Sequence, residues 1–373
     1  MKLNTIKEAI DDLKNNKVII VVDDENRENE GDFVFPAEII SSDVVNFMAT
    51  HGRGLICVPL TSKRCKILKL NPMVAKNTEL MKTAFTISVD LIGDGVTSGI
   101  STSDRSKTIK ALVNDKTKPS DLARPGHIFP LSAQEGGVLR RTGHTEAAVD
   151  LSRLSGYKPA GVLCEIMNEN GTMARLPDLF KVAKKFDLKI ISIEDLVSYR
   201  MKNDSLIELI DSFNLKTKYG DYTLNTFKQK NNDQVHLALS KGTWLKNEPV
   251  LCRVNSFGSI NNSIDDLVLR EDSNIKKITN KIDKENKGVI VFVNQDHETK
   301  PILNKINHLK KIQKSGKVFK PYKKMDVKDF GIGAQILHEL NVSKIKLLTT
   351  KNRKIKRVGM AGYGLEIVET VNF

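Results

Sequence analysis

Residues 18–32 of this 373-residue chain read Val18-Ile-Ile-Val-Val-Asp-Asp-Glu-Asn-Arg-Glu-Asn-Glu-Gly-Asp32. The first five are β-branched and uninterrupted, which is typical of a short buried strand. Six carboxylates and one arginine follow within ten residues. Carboxylates packed so densely raise one another's pKa, so a folded protein tolerates them best beside a cation or in a solvated loop. The stretch therefore predicts a buried strand that leads into either a cation site or a solvated acidic turn.

Helical and strand patterns alternate around this stretch. Apolar residues at helical spacing precede it, and a helix capped by Ser42 follows it. Further strands are expected at 55–58, 161–165 and 189–193, and further helices at 179–186 and from Glu194 onward. The pattern predicts a mixed-sheet α/β (α+β) domain.

The second half of the chain predicts another α/β domain, with strands at 288–293 and 345–349 and a helix at 334–340. A chain of this length usually divides into two domains. Residues 1–200 carry 28 Lys and Arg against 26 Asp and Glu, whereas residues 201–373 carry 31 against 19. This charge asymmetry and the polar stretch 200–205 place the boundary between domains 1–204 and 205–373.

Several classes of partner and location are excluded by composition. The start of the chain lacks the pattern of a signal peptide, and no long apolar run follows, so a cytoplasmic protein without a membrane partner is expected. The net charge of +14 comes from dispersed lysines without interleaved aromatic residues, so no nucleic-acid partner is expected. The four cysteines are scattered and are expected to be reduced thiols.

A second polar cluster, Arg140-Arg-Thr-Gly-His-Thr-Glu146, precedes an alanine-containing, helical stretch. Backbone N–H groups at a helix start, together with Arg141 and Thr145, would make a phosphate site. Arg27 in the acidic stretch is also suited to grip a phosphate or carboxylate. His144 would then be a metal ligand, although a surface or helix-capping histidine is the alternative.

Two further residues are candidates for proton transfer. His127 is bracketed by prolines and a glycine in Arg124-Pro-Gly-His-Ile-Phe-Pro130, and such a rigid loop suits an acid–base histidine. Glu165 ends an apolar strand, where burial would raise its pKa towards catalytic use, unless it is a structural carboxylate. Together these clusters supply a cation site, a phosphate site and two proton carriers, which the rearrangement of a phosphorylated sugar requires.

Six motifs in order along residues 1 to about 200 resemble the family of 3,4-dihydroxy-2-butanone 4-phosphate synthases. They are Asp24-Glu-Asn-Arg-Glu-Asn-Glu-Gly-Asp32, Gly99-Ile-Ser-Thr-Ser-Asp-Arg105, Arg124-Pro-Gly-His-Ile-Phe-Pro130, Gly143-His-Thr-Glu-Ala147, Gly161-Val-Leu-Cys-Glu165 and Gly171-Thr-Met-Ala-Arg175. The resemblance implies a lyase of riboflavin biosynthesis that converts ribulose 5-phosphate to 3,4-dihydroxy-2-butanone 4-phosphate and formate. It also implies a homodimer.

The resemblance also assigns roles to residues. It implies two Mg²⁺ or Mn²⁺ ions in each active site, held by Glu28 and His144, and His127 and Glu165 as essential proton carriers. Substrate contacts are implied for Arg27, Glu28, Asp32, Arg141, Thr142, Gly143, His144, Thr145 and Glu165, with Ser103, Asp104 and Thr108 as lesser candidates beside the phosphate. Divalent metals suit the reaction, because they stabilise enolate and alkoxide charge while a carbon migrates.

Residues 205–373 more faintly resemble GTP cyclohydrolase II, through short stretches such as Glu248-Pro-Val-Leu-Cys-Arg-Val254 and Gly362-Tyr-Gly-Leu-Glu366. That family holds catalytic zinc with three cysteines, whereas this half has only Cys252. The family's glycine-rich Arg-Gln-Glu-Gly-Arg-Gly motif is replaced by residues 294–298, and its catalytic arginine by Lys328. We therefore predict an inactive second domain without zinc. The alternatives are a bifunctional enzyme that also opens GTP, and a C-terminal binding module for a protein or nucleic acid.

Overall fold

The apolar run at residues 18–22 forms strand β1 (Ile19–Val22), and all four of its residues are buried. The structure is a computed structural model, and it describes residues 2–230, 234–257, 273–294, 330–350 and 360–373. Two compact units divide between Asn203 and Asp204, except that residues 360–362 belong to the first unit. Each unit contains a mixed seven-stranded sheet, which confirms the predicted α/β class.

The first unit alternates helices with the strands of its sheet. Its helices are α1 (Ile6–Lys14), α2 (Ser42–His51), α3 (Ser62–Ile67), α4 (Thr102–Val113), α5 (His144–Leu154), α6 (Leu176–Phe186) and α7 (Ile193–Asn203). The strands after β1 are β2 (Gly31–Pro36), β3 (Cys57–Thr61), β4 (Val89–Leu91), β5 (Leu122–Ala133), β6 (Gly161–Glu165) and β7 (Ile190–Ser192). Short 3₁₀ helices lie at Ala37–Ile39, Pro119–Asp121 and Gly137–Leu139.

The order of the strands is β4-β5-β3-β6-β2-β1-β7. β2 is antiparallel to both β1 and β6, so the end of β1, the start of β2 and the end of β6 meet at one edge of the sheet. α5 packs against β2, β3 and β6. Its first residue, His144, contacts the carbonyl oxygen of Val21 in β1. The acidic loop at residues 23–30 therefore lies at the same edge as the start of α5.

Gly31 allows α6 to approach the beginning of β2. A β-carbon at this position would lie 2.4 Å from Cδ1 of Leu179, closer than carbon atoms pack.

Some element boundaries differ from the predicted ones. The N-cap of α2 is Ser41, whose Oγ accepts the N–H of Val44, so Ser42 is the first helical residue. β3 begins at Cys57, because the N–H of Leu55 donates to the Glu165 side chain and not to a neighbouring strand. α7 begins at Ile193, one residue before the predicted start.

The second unit has its own sheet and helices. Its strands are β8 (Ile207–Thr217), β9 (Gly220–Gln229), β10 (Val235–Lys241), β11 (Pro249–Phe257), β12 (Gly288–Asn294), β13 (Lys344–Thr349) and β14 (Glu366–Asn372), in the order β14-β13-β11-β12-β10-β9-β8. Its helices are α8 (Ser273–Glu285) and α9 (Phe330–Glu339). A 3₁₀ turn lies at Ala361–Tyr363, of which residues 361–362 belong to the first unit and Tyr363 to the second. α9 corresponds to the helix predicted at 334–340, but it begins four residues earlier and ends one residue earlier. No helix among the described residues is long and apolar enough to cross a bilayer.

Candidate active site

The acidic loop between β1 and β2 is organised by Asp23, whose side chain is fully buried. One oxygen of this carboxylate accepts the N–H of Glu30 at 2.8 Å, and the other accepts the N–H of Glu28 at 3.1 Å. Nη1 of Arg27 donates to Asp23 at 2.9 Å and to Glu28 at 2.5 Å. The loop is therefore a hydrogen-bonded turn and not a solvated acidic run.

Arg175, which is distant from the acidic loop in the sequence, stabilises that loop through its backbone. Its Nη1 donates to the carbonyl oxygen of Glu28 at 2.9 Å and also to that of Asn29. Asn29 has a φ of 54°, in the left-handed region that asparagine tolerates better than most residues. The motif that ends in Arg175 thus supports the backbone that carries Glu28, a role that the sequence pattern did not predict.

Glu28 and His144 form the centre of the site. Oε2 of Glu28 lies 3.6 Å from Nδ1 of His144. Ligand atoms of Asp23, Glu28 and His144 all lie within 4.8 Å of one another. Nε2 of His144 lies 3.1 Å from the carbonyl oxygen of Val21, to which it can only donate, and this leaves Nδ1 as the nitrogen that faces Glu28. His144 is buried, which excludes the surface alternative.

The pKa values of Glu28 and His144 both depart strongly from their ordinary values. Burial opposes ionisation of Glu28, but the neighbouring His144 and the charge of Arg27 lower the pKa of the carboxyl to about 2. Burial also opposes protonation of His144, but the carboxylates of Asp32 and Glu28 raise its pKa to about 9. An imidazole that faces carboxylates in this way suits the binding of a divalent cation in place of the proton.

Asp32 and Glu165 add two more carboxyl groups at the same edge of the sheet. Burial, with added repulsion from Glu165 and Glu28, raises the pKa of Asp32 to about 8. Oδ1 of Asp32 is buried and has no hydrogen-bond partner among the residues that the structure describes. Oε2 of Glu165 accepts the N–H of Leu55 at 2.8 Å. A buried carboxyl oxygen that lacks a hydrogen bond, next to Glu28 and His144, fits a site that takes up a cation or a polar ligand.

These groups line one cleft with a volume of about 200 Å³. Of the predicted residues, the cleft is lined by Arg27, Glu28, Asp32, His144, Thr145 and Glu165. The other lining residues were not predicted from the sequence, and they are Glu30, Cys57, Glu79, Thr83, Phe85, Leu131 and Leu163. Glu30 belongs to the acidic stretch and Leu163 to the motif at 161–165, so a local signal existed near both. The others come from strands and a loop without a chemical motif, so only their position in the fold reveals them.

Arg141, Thr142 and Gly143 lead into α5 beside this cleft. A β-carbon at Gly143 would lie 2.4 Å from Nη1 of Arg141 and 3.1 Å from Nη2 of Arg27, so two guanidinium groups flank this glycine. Nη1 of Arg141 donates to the buried Glu146 at 2.6 Å. Two cations beside a helix N-terminus form an environment suited to a phosphate.

His127 and the α4 candidates belong to a second group of residues. Nδ1 of His127 lies 2.7 Å from Oδ2 of Asp90. Oδ2 of Asp104 accepts the N–H of Gly99 at 3.2 Å. Thr108 is fully buried, and its hydroxyl accepts the N–H of Leu91, so this side chain is engaged inside the fold.

The second group is separate from the cleft within the described part of one chain. The lining of the cleft includes none of His127, Ser103, Asp104 and Thr108. Ser103 is exposed at the start of α4. The structure therefore brings the candidate metal ligands and Glu165 together in one cleft. His127 lies outside that cleft in the same chain.

The structure describes only some of the residues on which the prediction for the C-terminal half depends. Cys252 is fully buried in β11. The neighbouring Arg253 donates from Nη1 to the carbonyl oxygen of Leu348 at 2.9 Å and from Nε to Asn255 at 2.7 Å. Residues 295–298 and Lys328, which carry much of the prediction of inactivity, lie outside the described residues.

Comparison with known proteins gives matches to both halves of the chain. Residues 7–199 match the family model described as 3,4-dihydroxy-2-butanone 4-phosphate synthase, and residues 208–372 match the one described as GTP cyclohydrolase II. The chain is 51% identical to the riboflavin biosynthesis protein RibBA of Cytophaga hutchinsonii, over 100% of this chain and 92% of that protein.

Two solved structures are also similar. RibBX of A. baumannii, a two-domain 3,4-dihydroxy-2-butanone 4-phosphate synthase, is 39% identical with a TM-score of 0.67, over 98% of this chain and 99% of its own. A 3,4-dihydroxy-2-butanone 4-phosphate synthase in complex with two magnesium ions is 38% identical with a TM-score of 0.52, over 54% of this chain and 98% of its own.

Proposed function

This chain belongs to the family of riboflavin biosynthesis proteins that join a 3,4-dihydroxy-2-butanone 4-phosphate synthase domain to a GTP cyclohydrolase II domain, and from that membership we propose that its cleft converts D-ribulose 5-phosphate to L-3,4-dihydroxy-2-butanone 4-phosphate and formate. The enzyme is a lyase. The two products together contain every atom of the substrate, so the reaction requires no oxidant and no second substrate. The observation that carries the assignment is the cleft that joins Glu28 and His144 to Asp32 and Glu165.

Glu28 and His144 are the residues that would hold the metal. The donor set fits a divalent cation, because a carboxylate and an imidazole face one another with the buried Oδ1 of Asp32 beside them. Two Mg²⁺ ions in each active site are part of the proposal, with Mn²⁺ as a substitute that accepts a nitrogen ligand readily. When bound, the metal stabilises negative charge on adjacent hydroxyl and carbonyl oxygens of the substrate.

The other side chains bind the substrate and move protons. Arg27, Arg141 and the backbone from Thr142 to Thr145 receive the phosphate at the start of α5. Without metal, burial raises the pKa of Asp32 to about 8, so this group holds its proton near neutral pH. In that state Asp32 can donate a hydrogen bond to a substrate oxygen, while Glu165, at the paired position of β6, accepts a proton from the substrate.

A homodimer would bring His127 to this chemistry. The group that contains His127, Ser103 and Asp104 lies outside the cleft of its own protomer, although the same family resemblance assigns both groups to one reaction. We place this group at the cleft of a second copy, which a two-fold dimer does reciprocally. A mixture of the two inactive variants His127→Asn and Glu28→Gln should then regain activity, because each mixed dimer holds one intact site. A mixture that stays inactive although the subunits exchange would contradict the shared site.

The domains of this proposal are residues 1–204, with synthase activity, and residues 205–373, a GTP cyclohydrolase II-like domain that is inactive and binds no zinc. Support comes from the single cysteine of the second domain and from its complete burial. A thiol enclosed in this way cannot join a zinc site of three cysteines without other thiolates beside it. A cytoplasmic location is also proposed, since all four cysteines are free and buried, as in proteins of reducing compartments.

Bifunctionality is the second candidate function, and the match of residues 208–372 to the GTP cyclohydrolase II model favours it. One experiment tests both functions. The purified protein is incubated separately with ribulose 5-phosphate and with GTP, and formate is measured by coupled formate dehydrogenase. We expect formate only from ribulose 5-phosphate, and zinc far below one equivalent by elemental analysis. Stoichiometric zinc together with formate from GTP would establish the bifunctional enzyme.

A further inference from the structure

The backbone leaves its strand pairing where His127 meets Asp90. Val89 of β4 pairs with Ile128 of β5, but the next residue, Asp90, pairs with Ala123. The four residues from Arg124 to His127 are therefore looped out between two consecutive pairs, in the manner of an extended β-bulge. Bulges re-aim side chains, and this one turns His127 towards Asp90.

Asp90 contacts His127 at two points. Its Oδ1 accepts the backbone N–H of His127 at 2.9 Å, and its Oδ2 lies 2.7 Å from Nδ1 of the imidazole. The loop is held further by Ser88, whose Oγ accepts the N–H of Gly126 at 3.2 Å. Both the backbone and the ring of His127 are thus oriented by the same carboxylate.

Two glycines provide the space for this contact. A β-carbon on Gly99 would lie 2.1 Å from Oδ2 of Asp90 and 2.8 Å from Nδ1 of His127. A β-carbon on Gly126 would lie 2.0 Å from the backbone carbon of Val89. A side chain at Gly99 would come between the carboxylate and the imidazole, and one at Gly126 would push the bulge away from the backbone of β4. The glycines of two sequence motifs therefore both support this contact.

We propose that Asp90 is a positioning residue, which holds the ring of His127 so that Nδ1 carries its proton towards Asp90 and Nε2 faces outward for proton exchange with the substrate. The inference rests on the acid–base role given to His127 in the proposed function. A carboxylate accepts hydrogen bonds only, so it selects the tautomer in which Nδ1 is protonated. The His127 side chain is 44% exposed, and its Nε2 has no hydrogen-bond partner among the described residues.

The decisive variant is Asp90→Asn, which preserves the shape of the side chain. Its amide can donate to Nδ1 and thereby stabilise the opposite tautomer. In a Ser-His-Asp triad the same exchange lowers kcat about 10⁴-fold. Here we expect kcat for ribulose 5-phosphate to fall at least tenfold with KM changed by less than about twofold, because binding groups are untouched. Asp90→Glu keeps a carboxylate and should recover most of the loss.

A spectroscopic measurement separates positioning from general structural damage. ¹⁵N-histidine NMR of the full chain distinguishes the two tautomers, and the spectrum of His127→Asn identifies the signal of His127. We expect neutral His127 to be protonated at Nδ1 in the native enzyme and to shift towards the Nε2-protonated form in Asp90→Asn. Asp94→Asn is the matched control, since Asp94 is an exposed residue shortly after β4, and its kcat and spectrum should match the native enzyme.

The possible results are distinguishable. If His127→Asn turns over like the native enzyme, the acid–base role of His127 fails and this inference fails with it. If His127→Asn is inactive but Asp90→Asn keeps its kcat within about threefold, or leaves the tautomer unchanged, only the role of Asp90 is overturned.

Discussion

Asp32 and Glu165 lie at directly paired positions of the antiparallel strands β2 and β6. Side chains at such positions project from the same face of the sheet, so the two carboxyl groups share one wall of the cleft. Burial of Asp32 and the charge of Glu165 together favour the protonated form of Asp32. A buried carboxyl group with a raised pKa beside a second carboxyl group is an arrangement suited to acid–base chemistry near neutral pH.

Glu28→Gln should abolish the release of formate while the protein remains folded. The substitution removes the charged ligand from the cleft and leaves a side chain of the same size. We expect less than about a tenth of native turnover, a loss above roughly 1.4 kcal/mol of transition-state stabilisation. Glu25→Gln, at an exposed position in the same loop, is the control and should remain fully active. Native-like turnover of Glu28→Gln would show that Glu28 is not a metal ligand.

Glu165→Gln should lower kcat far more than it weakens substrate binding. The amide oxygen of glutamine still accepts the N–H of Leu55, so the wall of the cleft is preserved while the proton acceptor is lost. Steady-state kinetics with ribulose 5-phosphate should show a decrease of about 10²-fold or more in kcat. Glu169→Gln, an exposed carboxylate in the loop after β6, serves as the control. A raised KM with native kcat would mean that Glu165 only binds substrate.

The metal-free protein should lose stability as pH rises through the neutral range, and Asp32→Asn should reduce this loss. The folded-state pKa of Asp32, about 8, lies above the unfolded value of about 3.9, so between these values the folded state holds a proton that the unfolded chain has released. The free energy of unfolding therefore falls with pH in that window.

Thermal melts in EDTA from pH 5 to 9 measure this dependence. The Tm advantage of Asp32→Asn over the native chain should grow up to about pH 8 and then level off. His144, with a folded pKa of about 9 against an ordinary value near 6.5, adds a slope of the same sign above pH 6.5 in the native chain. Asp32→Asn should reduce this slope as well, because the Asp32 carboxylate is one of the groups that raise the pKa of His144. Asp43→Asn, with an exposed side chain, should show no such trend. A constant Tm difference between Asp32→Asn and the native chain across this pH range would refute the raised pKa of Asp32.

Arg175→Gln should weaken metal binding although Arg175 is not itself a metal ligand. Its guanidinium holds the carbonyl oxygens of Glu28 and Asn29, and a loosened loop presents Glu28 poorly. Supporting residues of this kind typically contribute 10- to 100-fold in metal affinity. Titration with Mn²⁺, followed by electron paramagnetic resonance, should show a rise in Kd of about tenfold.

The control for this variant is another arginine that binds backbone carbonyl groups. Arg64 donates to the carbonyl oxygen of Leu112 at 2.7 Å, and it does not contact the acidic loop. Arg64→Gln should leave the Kd for Mn²⁺ unchanged even if the protein melts at a lower temperature. Equal losses of affinity in both variants would indicate a general loss of stability.

Much of the fold was accessible from local patterns. The run at 18–22 and the strand 161–165 agree with β1 and β6 to within a residue. Both are defined by short apolar runs, a signal that depends on near neighbours in the chain. The start of β3 was misplaced, because the N–H of Leu55 finds its acceptor in Glu165, a contact over 110 positions.

The order of amino acids sets which chemical groups this protein possesses, since the carboxylates, guanidinium groups and histidines of its motifs favour phosphate and cation chemistry. Folding sets how these groups are brought together. It closed the acidic stretch around Asp23, buried His144 between Val21 and Glu28, and set Asp90 beside His127. The reason is physical: hydrogen-bond partners and burial are set by strand pairing and packing between distant segments, and no local pattern encodes which distant segment arrives.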